Sequence, residues 1–369
     1  MSGFESPAAA GPVLIEWGWD ESWAAAFAPS QAAGLAPARV IAQHRGRWLL
    51  AGNFGEHLGL VTGKFRHDAA IGELPAVGDW VGFASSLHDG ALRIDVVLPR
   101  RSSLTRRAAG SRVMVQVVAA NVDVLFVATS LNGDLNPRRL ERYVAMGKES
   151  GAETVVLLTK SDLSDEGEAG AAQLSEQLGV SVVALSGRTG EGLDAIATWL
   201  VPGRTVALVG SSGVGKSTLL NRLAGEELMV TQEIREDDAR GRHTTTHREL
   251  FRLPGGALLL DTPGMRELGL WDAEEGVDET FADLVALASR CRFADCSHRF
   301  EPGCAILAEV RAGRLDDARV KSYRRLSHEV AELPATTAAK RAKDRRFGKA
   351  VRTAASESIA RKAFKDGDY

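Results

Sequence analysis

The stretch ALVGSSGVGKSTL at 207–219 constrains this chain more than any other. Its core, GSSGVGKS at 210–217, matches the pattern G-x-x-x-x-G-K-[ST] and stands between an apolar run, TVALVG, and a helix-like run, KSTLLNRLAG. In such a strand–loop–helix passage the backbone N–H groups of Gly210, Ser211, Ser212, Gly213, Val214 and Gly215 turn toward phosphate oxygens at a helix N-terminus. Lys216 adds positive charge at the β and γ phosphates, Ser217 offers an oxygen to Mg²⁺, and Thr218 follows in the first helical turn.

The surrounding rhythm agrees with that loop. From about Val113 apolar strand-like runs (VDVLFVATS, AETVVLLTKSD, VSVVALSG) alternate with helical ones, which implies a mostly parallel sheet covered on both faces. One helix is marked at both ends: Asn136 can cap it, Pro137 suits its first position, and Gly151 stops it, with Leu140, Tyr143, Val144 and Gly147 on one face. Ahead of this region, RVIAQ, WLLAG, LGLVTG, GDWVGF and LRIDVVL are short runs divided by Gly, Asn or Asp turns, the spacing of a small barrel. The Ala/Pro-rich opening has no sustained period and reads as a flexible arm. Beyond about Leu270 the pattern is helical and irregular. The expected division is a flexible acidic arm at 1–37, an OB-type β-barrel at 38–110, a nucleotide domain at 111–272, and a helical metal-binding domain with a basic tail at 273–369, a multi-domain α/β chain.

Composition limits the function classes. With 369 residues, 44% apolar and 25% charged, the chain can build several packed cores. It has no run of about 18 apolar residues, and MSGFESPAAA lacks the basic and apolar regions of a secretory signal, so a cytoplasmic protein without a membrane partner is expected. The net charge of −3 hides an asymmetry: residues 1–37 carry Glu5, Glu16, Asp20 and Glu21 without Lys or Arg, whereas 340–365 carry ten Lys/Arg. A second basic block, RRSSLTRRAAGSR, occupies 100–112. Two such blocks flanking a nucleotide motif point to a polyanion partner, against the plainer reading of solvated faces.

Further loops fall at the ends of apolar runs. TKSD at 159–162 follows VVLL; a carboxylate at Asp162 can accept from both the N1–H and the N2 amino group of guanine while the Lys160 stem covers the base, although Ser161 or Asp162 would also serve as a helix cap. Ser186 and Gly187, in ALSGRTGEGLDAI, form a turn suited to backbone contacts with a base. DTPG at 261–264 offers Asp261 to Mg²⁺ through water and the Gly264 N–H to a γ-phosphate, and GRHTTTHREL at 241–250 has the position of a switch loop. Cys291, Cys296, His298 and Cys304 supply the number and softness of ligands for a closed tetrahedral Zn²⁺ site, hence a structural one.

The order of these motifs is unusual, with the base reader ahead of the phosphate loop. In a doubly wound sheet all ligand loops lie at the carboxyl ends of strands, so joining the old termini and cutting elsewhere preserves the site. The order TKSD, Ser-Gly turn, GSSGVGKS, threonine loop, DTPG resembles circularly permuted GTPases. AVGDWV at 76–81, AANVDVLFVATS at 119–130, LNPRRLERY at 135–143, GRHTTT at 241–246 and the Cys/His cluster extend the resemblance, over about residues 39–350, to the ribosome small subunit-dependent GTPases known as RsgA or YjeQ. It implies subunit-stimulated hydrolysis of GTP to GDP, late maturation of the small (30S) ribosomal subunit, contact with 16S rRNA, and a monomer. It also implies that His243 is catalytic with Lys216, that Thr245 joins Ser217 and Asp261 around Mg²⁺, and that zinc occupies the cysteine cluster. The family's pattern has Asn where this chain has Thr159, an exchange bearing on guanine affinity more than selectivity. Met265 stands where many GTPases carry a water-orienting Gln. Two other readings stay open: a permuted GTPase acting on another ribosomal particle, and a non-enzymatic RNA-binding module gated by GTP.

Overall fold

The structure, a computed structural model of the chain, describes residues 11–44, 46–69, 72–88, 90–107, 115–131, 135–164, 167–225, 248–261 and 274–331. Within it, residues 11–35 are not the flexible arm expected from sequence. They form α1 (Pro12–Glu16) and α2 (Glu21–Ala32), the second capped by Asp20, whose carboxylate accepts from the Trp23 N–H at 2.8 Å. Leu14, Trp17, Trp19, Trp23 and Phe27 are buried, and Trp19 stands edge-on to Trp80 with ring centroids 4.7 Å apart. Each such side chain contributes on the order of 2 kcal/mol on burial, enough to hold two short helices that propensity alone would not.

The five barrel runs become β1 (Ala36–His44), β2 (Arg47–Gly52), β3 (Gly55–Val61), β4 (Trp80–His88) and β5 (Ala91–Val97), with α3 (Gly63–Asp68) between β3 and β4. They pair in the order β1-β2-β3-β5-β4, and β4 returns to β1, which closes the barrel and removes its edges. Asp79, fully buried in the AVGDWV segment, accepts from the Ala76 N–H at 2.8 Å and from Arg100 Nε at 2.8 Å. A two-stranded ribbon, β6 (Ser103–Arg107) with β7 (Val115–Ala120), then leads out of the barrel.

The nucleotide domain is a doubly wound sheet. β8 (Val124–Ser130), β9 (Glu153–Thr159), β10 (Ser181–Ala184), β11 (Thr205–Gly210) and β13 (Leu258–Asp261) run in the order β10-β9-β8-β11-β13, all parallel. β12 (Arg248–Arg252) joins β13 antiparallel and also pairs with β1, so barrel and nucleotide sheet are one hydrogen-bonded surface. Every residue of β8 and β11 is buried, as strands covered on both faces require. Arg39 locks the junction: fully enclosed, it donates to the carbonyl of Trp17 at 3.2 Å and to Thr205 Oγ1 on β11 at 3.1 Å, with its guanidinium 5.0 Å from the Trp80 ring centre. Burial there lowers its pKa to about 10 against the pull of Asp123 and Asp79, leaving it charged at neutral pH.

The helices are α4 (Pro137–Ser150), α5 (Gly167–Leu178) and α6 (Lys216–Ala224), followed in the C-terminal module by α7 (Glu274–Thr280), α8 (Ala282–Ala288), α9 (Ala305–Arg311) and α10 (Asp317–Ala331). α4 has the expected ends: the Asn136 side chain accepts from the N–H groups of Arg138 and Arg139, and Gly151 is left-handed at φ 82°. Its apolar face packs on the sheet, while Arg138, Glu141 and Arg142 face the C-terminal module. Glu141 is fully buried and meets Arg138 and Arg319; Arg319 Nη2 lies 2.9 Å from Asp283, Arg138 pairs with Asp316, and Arg142 Nη1 donates to Glu329 at 2.7 Å. α7 crosses α4 so closely that a Cβ on Gly276 would fall 2.1 Å from the Ala145 carbonyl oxygen. Among the described residues no helix is long and apolar enough to cross a membrane.

Candidate functional site

Four loops meet at the carboxyl edge of the parallel sheet. TKSD follows β9, the Ser186–Gly187 turn follows β10, GSSGVGKS follows β11, and Asp261 closes β13. Parallel pairing aligns Gly210 with Ala128, and Ala184 with Leu158, so residues 82 and 26 positions apart in the chain end level with one another. The chain order is permuted, and the edge is that of an ordinary doubly wound sheet.

The phosphate loop depends on its glycines. Gly210 sits at φ 144°, and a Cβ there would lie 2.2 Å from the Ala128 carbonyl oxygen, so only glycine lets β11 run this close to β8 at its end. Gly215 caps α6 at φ 92° and accepts from the Leu219 N–H at 2.9 Å, the first bond of the helix. Lys216 opens that helix, and its ammonium folds back onto the loop, donating to the Gly210 carbonyl at 2.8 Å and to the Ser211 carbonyl. Ser217 and Thr218 follow in the first turn, half-buried beside it. A glycine-lined bend at a helix N-terminus with an ammonium at its mouth fits a nucleotide di- or triphosphate.

The two base loops are tied to each other and to this bend. The Ser161 N–H donates to the Leu185 carbonyl at 3.2 Å, joining the TKSD loop to the Ser-Gly turn. Lys160 is left-handed at φ 60°, which turns the chain into the single 3-10 turn Ser161–Leu163 that carries Asp162, half-buried. Ser186 is fully buried, and its hydroxyl accepts from the N–H groups of Arg188 and Thr189, both at 3.2 Å, so it shapes the turn. Thr159 is buried with its hydroxyl 3.0 Å from the Thr129 carbonyl and 2.5 Å from the Val214 carbonyl, a contact with the phosphate loop that the sequence alone does not signal.

His243, Thr245, Gly264 and Met265 fall outside the described residues, as does the side chain of Asp261. Of the basic block at 100–112, Arg100 is spent on Asp79, and Arg101 binds Asp20 at 2.7 Å with its guanidinium 4.1 Å from the Trp23 ring centre. These two arginines are therefore structural, a correction to their reading as part of a polyanion surface. Arg101 is the main reason that the Asp20 pKa is lowered to about 2.

The cysteine cluster stands apart, between α8 and α9. The ligand atoms of Cys291, Cys296, His298 and Cys304 all lie within 4.8 Å of one another. Cys291 Sγ is 3.8 Å from Cys304 Sγ and 3.6 Å from His298 Nδ1, and Cys304 Sγ is 3.5 Å from the same nitrogen. Sulfurs bonded to each other would be about 2.05 Å apart. A tetrahedron with metal–sulfur bonds of about 2.3 Å has edges of about 3.8 Å, so the spacing is that of ligands around one ion. Burial pushes the Cys296 thiol up to about 11; at Cys291 burial acts the same way but is outweighed by the N–H groups of Ala305 and Ile306 and by the neighbouring thiols, leaving that thiol below its usual value. Burial likewise lowers the His298 pKa, keeping the imidazole neutral and able to bind a metal.

Residues 97–271 match the sequence model of the RsgA GTPase family. A small ribosomal subunit biogenesis GTPase RsgA from Opitutus terrae is 47% identical over 86% of this chain and 90% of its own length. The chain belongs to the RsgA GTPase family. Relatives of the same name from Syntrophotalea carbinolica and Streptomyces coelicolor are 44% and 43% identical, each over 89% of this chain and over 94% and 89% of their own lengths. Among solved structures, YjeQ from Thermotoga maritima is 25% identical with a TM-score of 0.58, covering 81% of this chain and all of that one. YloQ, described as a circularly permuted GTPase, is similar in fold at a TM-score of 0.56 and 22% identity, over 81% of this chain and 96% of that one. Family membership thus agrees with the permuted order of loops, the closed barrel and the cysteine cluster.

Proposed function

We propose that this chain hydrolyses GTP as a step in the late maturation of the small ribosomal subunit, and that the subunit stimulates the reaction. The observation that carries this reading is the meeting of the TKSD, Ser-Gly, GSSGVGKS and Asp261 positions at one sheet edge, in a chain whose relatives are named for small-subunit biogenesis. On this reading Asp162 accepts from guanine N1–H and N2, Lys160 covers the base, Ser186 and Gly187 shape the turn beside it, and residues 210–218 hold the phosphates. Bound Mg²⁺ would be held by Ser217, Thr245 and Asp261 and would neutralise charge building on the phosphates. Lys216 leaves the Gly210 and Ser211 carbonyls for phosphate oxygens. Met265 neither donates nor accepts usefully, so orienting the attacking water falls to His243, with the partner subunit holding its loop inward. Zinc in the Cys291, Cys296, His298 and Cys304 set is structural, since all four positions are protein ligands.

The partner surface is composite: the barrel with Lys64 and Arg66, both exposed on α3, and the basic tail from Lys340 to Arg352, outside the described residues. Phosphate contacts with 16S rRNA would dominate its affinity. The protein acts as a cytoplasmic monomer. Co-sedimentation with purified ribosomal subunits and a non-hydrolysable GTP analogue tests this reading. The chain is expected with small subunits and not with large ones; capture by large subunits alone would assign it to another particle.

A further inference from the structure

Thr159 ends β9 beneath the phosphate loop. Its hydroxyl oxygen lies 3.0 Å from the Thr129 carbonyl oxygen at the end of β8 and 2.5 Å from that of Val214, and the residue is only 2% exposed. A Cβ placed on Gly215 would be 3.9 Å from the same hydroxyl. The α6 ladder begins with the Gly215 carbonyl, so the Val214 carbonyl stands one residue ahead of it, and Thr159 is a donor placed to meet it.

A threonine hydroxyl has one hydrogen; its remaining capacity is to accept. Carbonyl oxygens only accept, so that single hydrogen goes to Val214 or to Thr129. Guanine's N7 and O6, on the edge away from N1 and N2, are likewise acceptors. A hydroxyl whose hydrogen is committed offers N7 only lone pairs. An amide in the same place would carry two hydrogens and could serve a carbonyl and the base together.

We propose that Thr159 is a positioning residue that ties the base loop to the phosphate loop, and that its side chain donates no hydrogen bond to guanine N7. Hydrogen bonding by the side chains of residues 159–162 then falls on the N1–H and N2 edge. The proposal rests on the reading of residues 159–162 as the guanine loop with Asp162 as its acceptor. It separates two jobs that one side chain could share: Thr159 sets the phosphate loop's height above β8 and β9, and Asp162 chooses the base.

The test is calorimetric binding of GDP, 7-deaza-GDP and IDP to the full-length protein and its Thr159→Ser, Thr159→Val and Thr159→Asn variants. The wild type is expected to bind GDP and 7-deaza-GDP within about twofold of each other, and IDP about tenfold more weakly because the N2 contact is lost. Thr159→Val, which keeps the shape and removes the hydroxyl, should weaken GDP and 7-deaza-GDP alike by about 5–20-fold, and Thr159→Ser should restore binding. Thr159→Asn should newly prefer GDP over 7-deaza-GDP. A wild type that prefers GDP over 7-deaza-GDP by about fivefold or more would overturn the proposal, as would a folded Thr159→Val variant with undiminished GDP affinity. IDP bound as tightly as GDP would instead overturn the assignment of Asp162.

Discussion

Arg319→Ala should release the C-terminal module from the nucleotide domain. Glu141 on α4 is wholly buried, and Arg319 on α10, with a side chain 10% exposed, is one of its two cationic partners. Arg319 also donates to the Thr280 carbonyl at 3.2 Å, meets Asp283, and packs 4.9 Å from the Phe281 ring centre. Removing it leaves the Glu141 carboxylate with Arg138 alone, which is 29% exposed and shared with Asp316. Breaking a buried pair in this way costs about 3–5 kcal/mol. All seven tryptophans precede residue 272, so fluorescence reports poorly on this module, and hydrogen exchange of α10 amides is the better assay. A loss of 3 kcal/mol or more in local stability corresponds to exchange faster by about 10²-fold or more. The double variant Glu141→Leu with Arg319→Met removes both charges and keeps apolar volume, so it should recover most of the loss, to within about 1 kcal/mol of the wild type. If Arg319→Ala changes exchange less than about threefold, or if the double variant is as damaged as the single, the reasoning from an uncompensated buried charge is refuted.

Native mass spectrometry should find one zinc per chain, lost in Cys296→Ser, with the C-terminal module unfolding on chelation. Because metal binding must remove the proton from Cys296, held near 11, zinc affinity should fall as pH is lowered. His243→Ala should lose most of the subunit-stimulated turnover, by about 10²-fold, while GTP and subunit binding persist; full stimulated turnover would show that the water is oriented by another group. Changing Arg345, Arg346 and Lys349 together to Glu should weaken subunit binding and flatten its dependence on salt, with GTP affinity unchanged. An untouched slope would reduce the tail to a solvated segment.

The site was far more legible in the sequence than its supports. Phosphate and base loops are short motifs whose chemistry dictates both residue type and spacing, and their places at the ends of β9, β10, β11 and β13 follow from the alternation of strands and helices. Turn-divided runs likewise located the five barrel strands. What failed was reading residues by local context alone. Trp17 and Trp19 lie in the turn between two short helices and Trp23 and Phe27 in the second of them, so they show no single period, and only Trp80 and the barrel explain why they are buried. Arg100 and Arg101 sit in a run without acids, yet their partners, Asp79 and Asp20, lie 21 and 81 residues away. The partners of the polar face of α4 were out of reach of local reading for the same reason: Arg319, Asp316 and Glu329 meet it only after the chain has returned. Thr159 carried a signal as a departure from its family's asparagine, but its hold on Val214 depends on two strands being level at the sheet edge.

The central claim is that the permuted loops form a GTPase driven by the small ribosomal subunit, and phosphate release at saturating GTP tests it most directly. Turnover should be slow for the protein alone, rise to a plateau as purified small subunits are titrated in, and stay at the basal level with large subunits. A rate that small subunits leave unchanged, with the nucleotide bound throughout, would contradict the account and leave a GTP-gated RNA-binding protein.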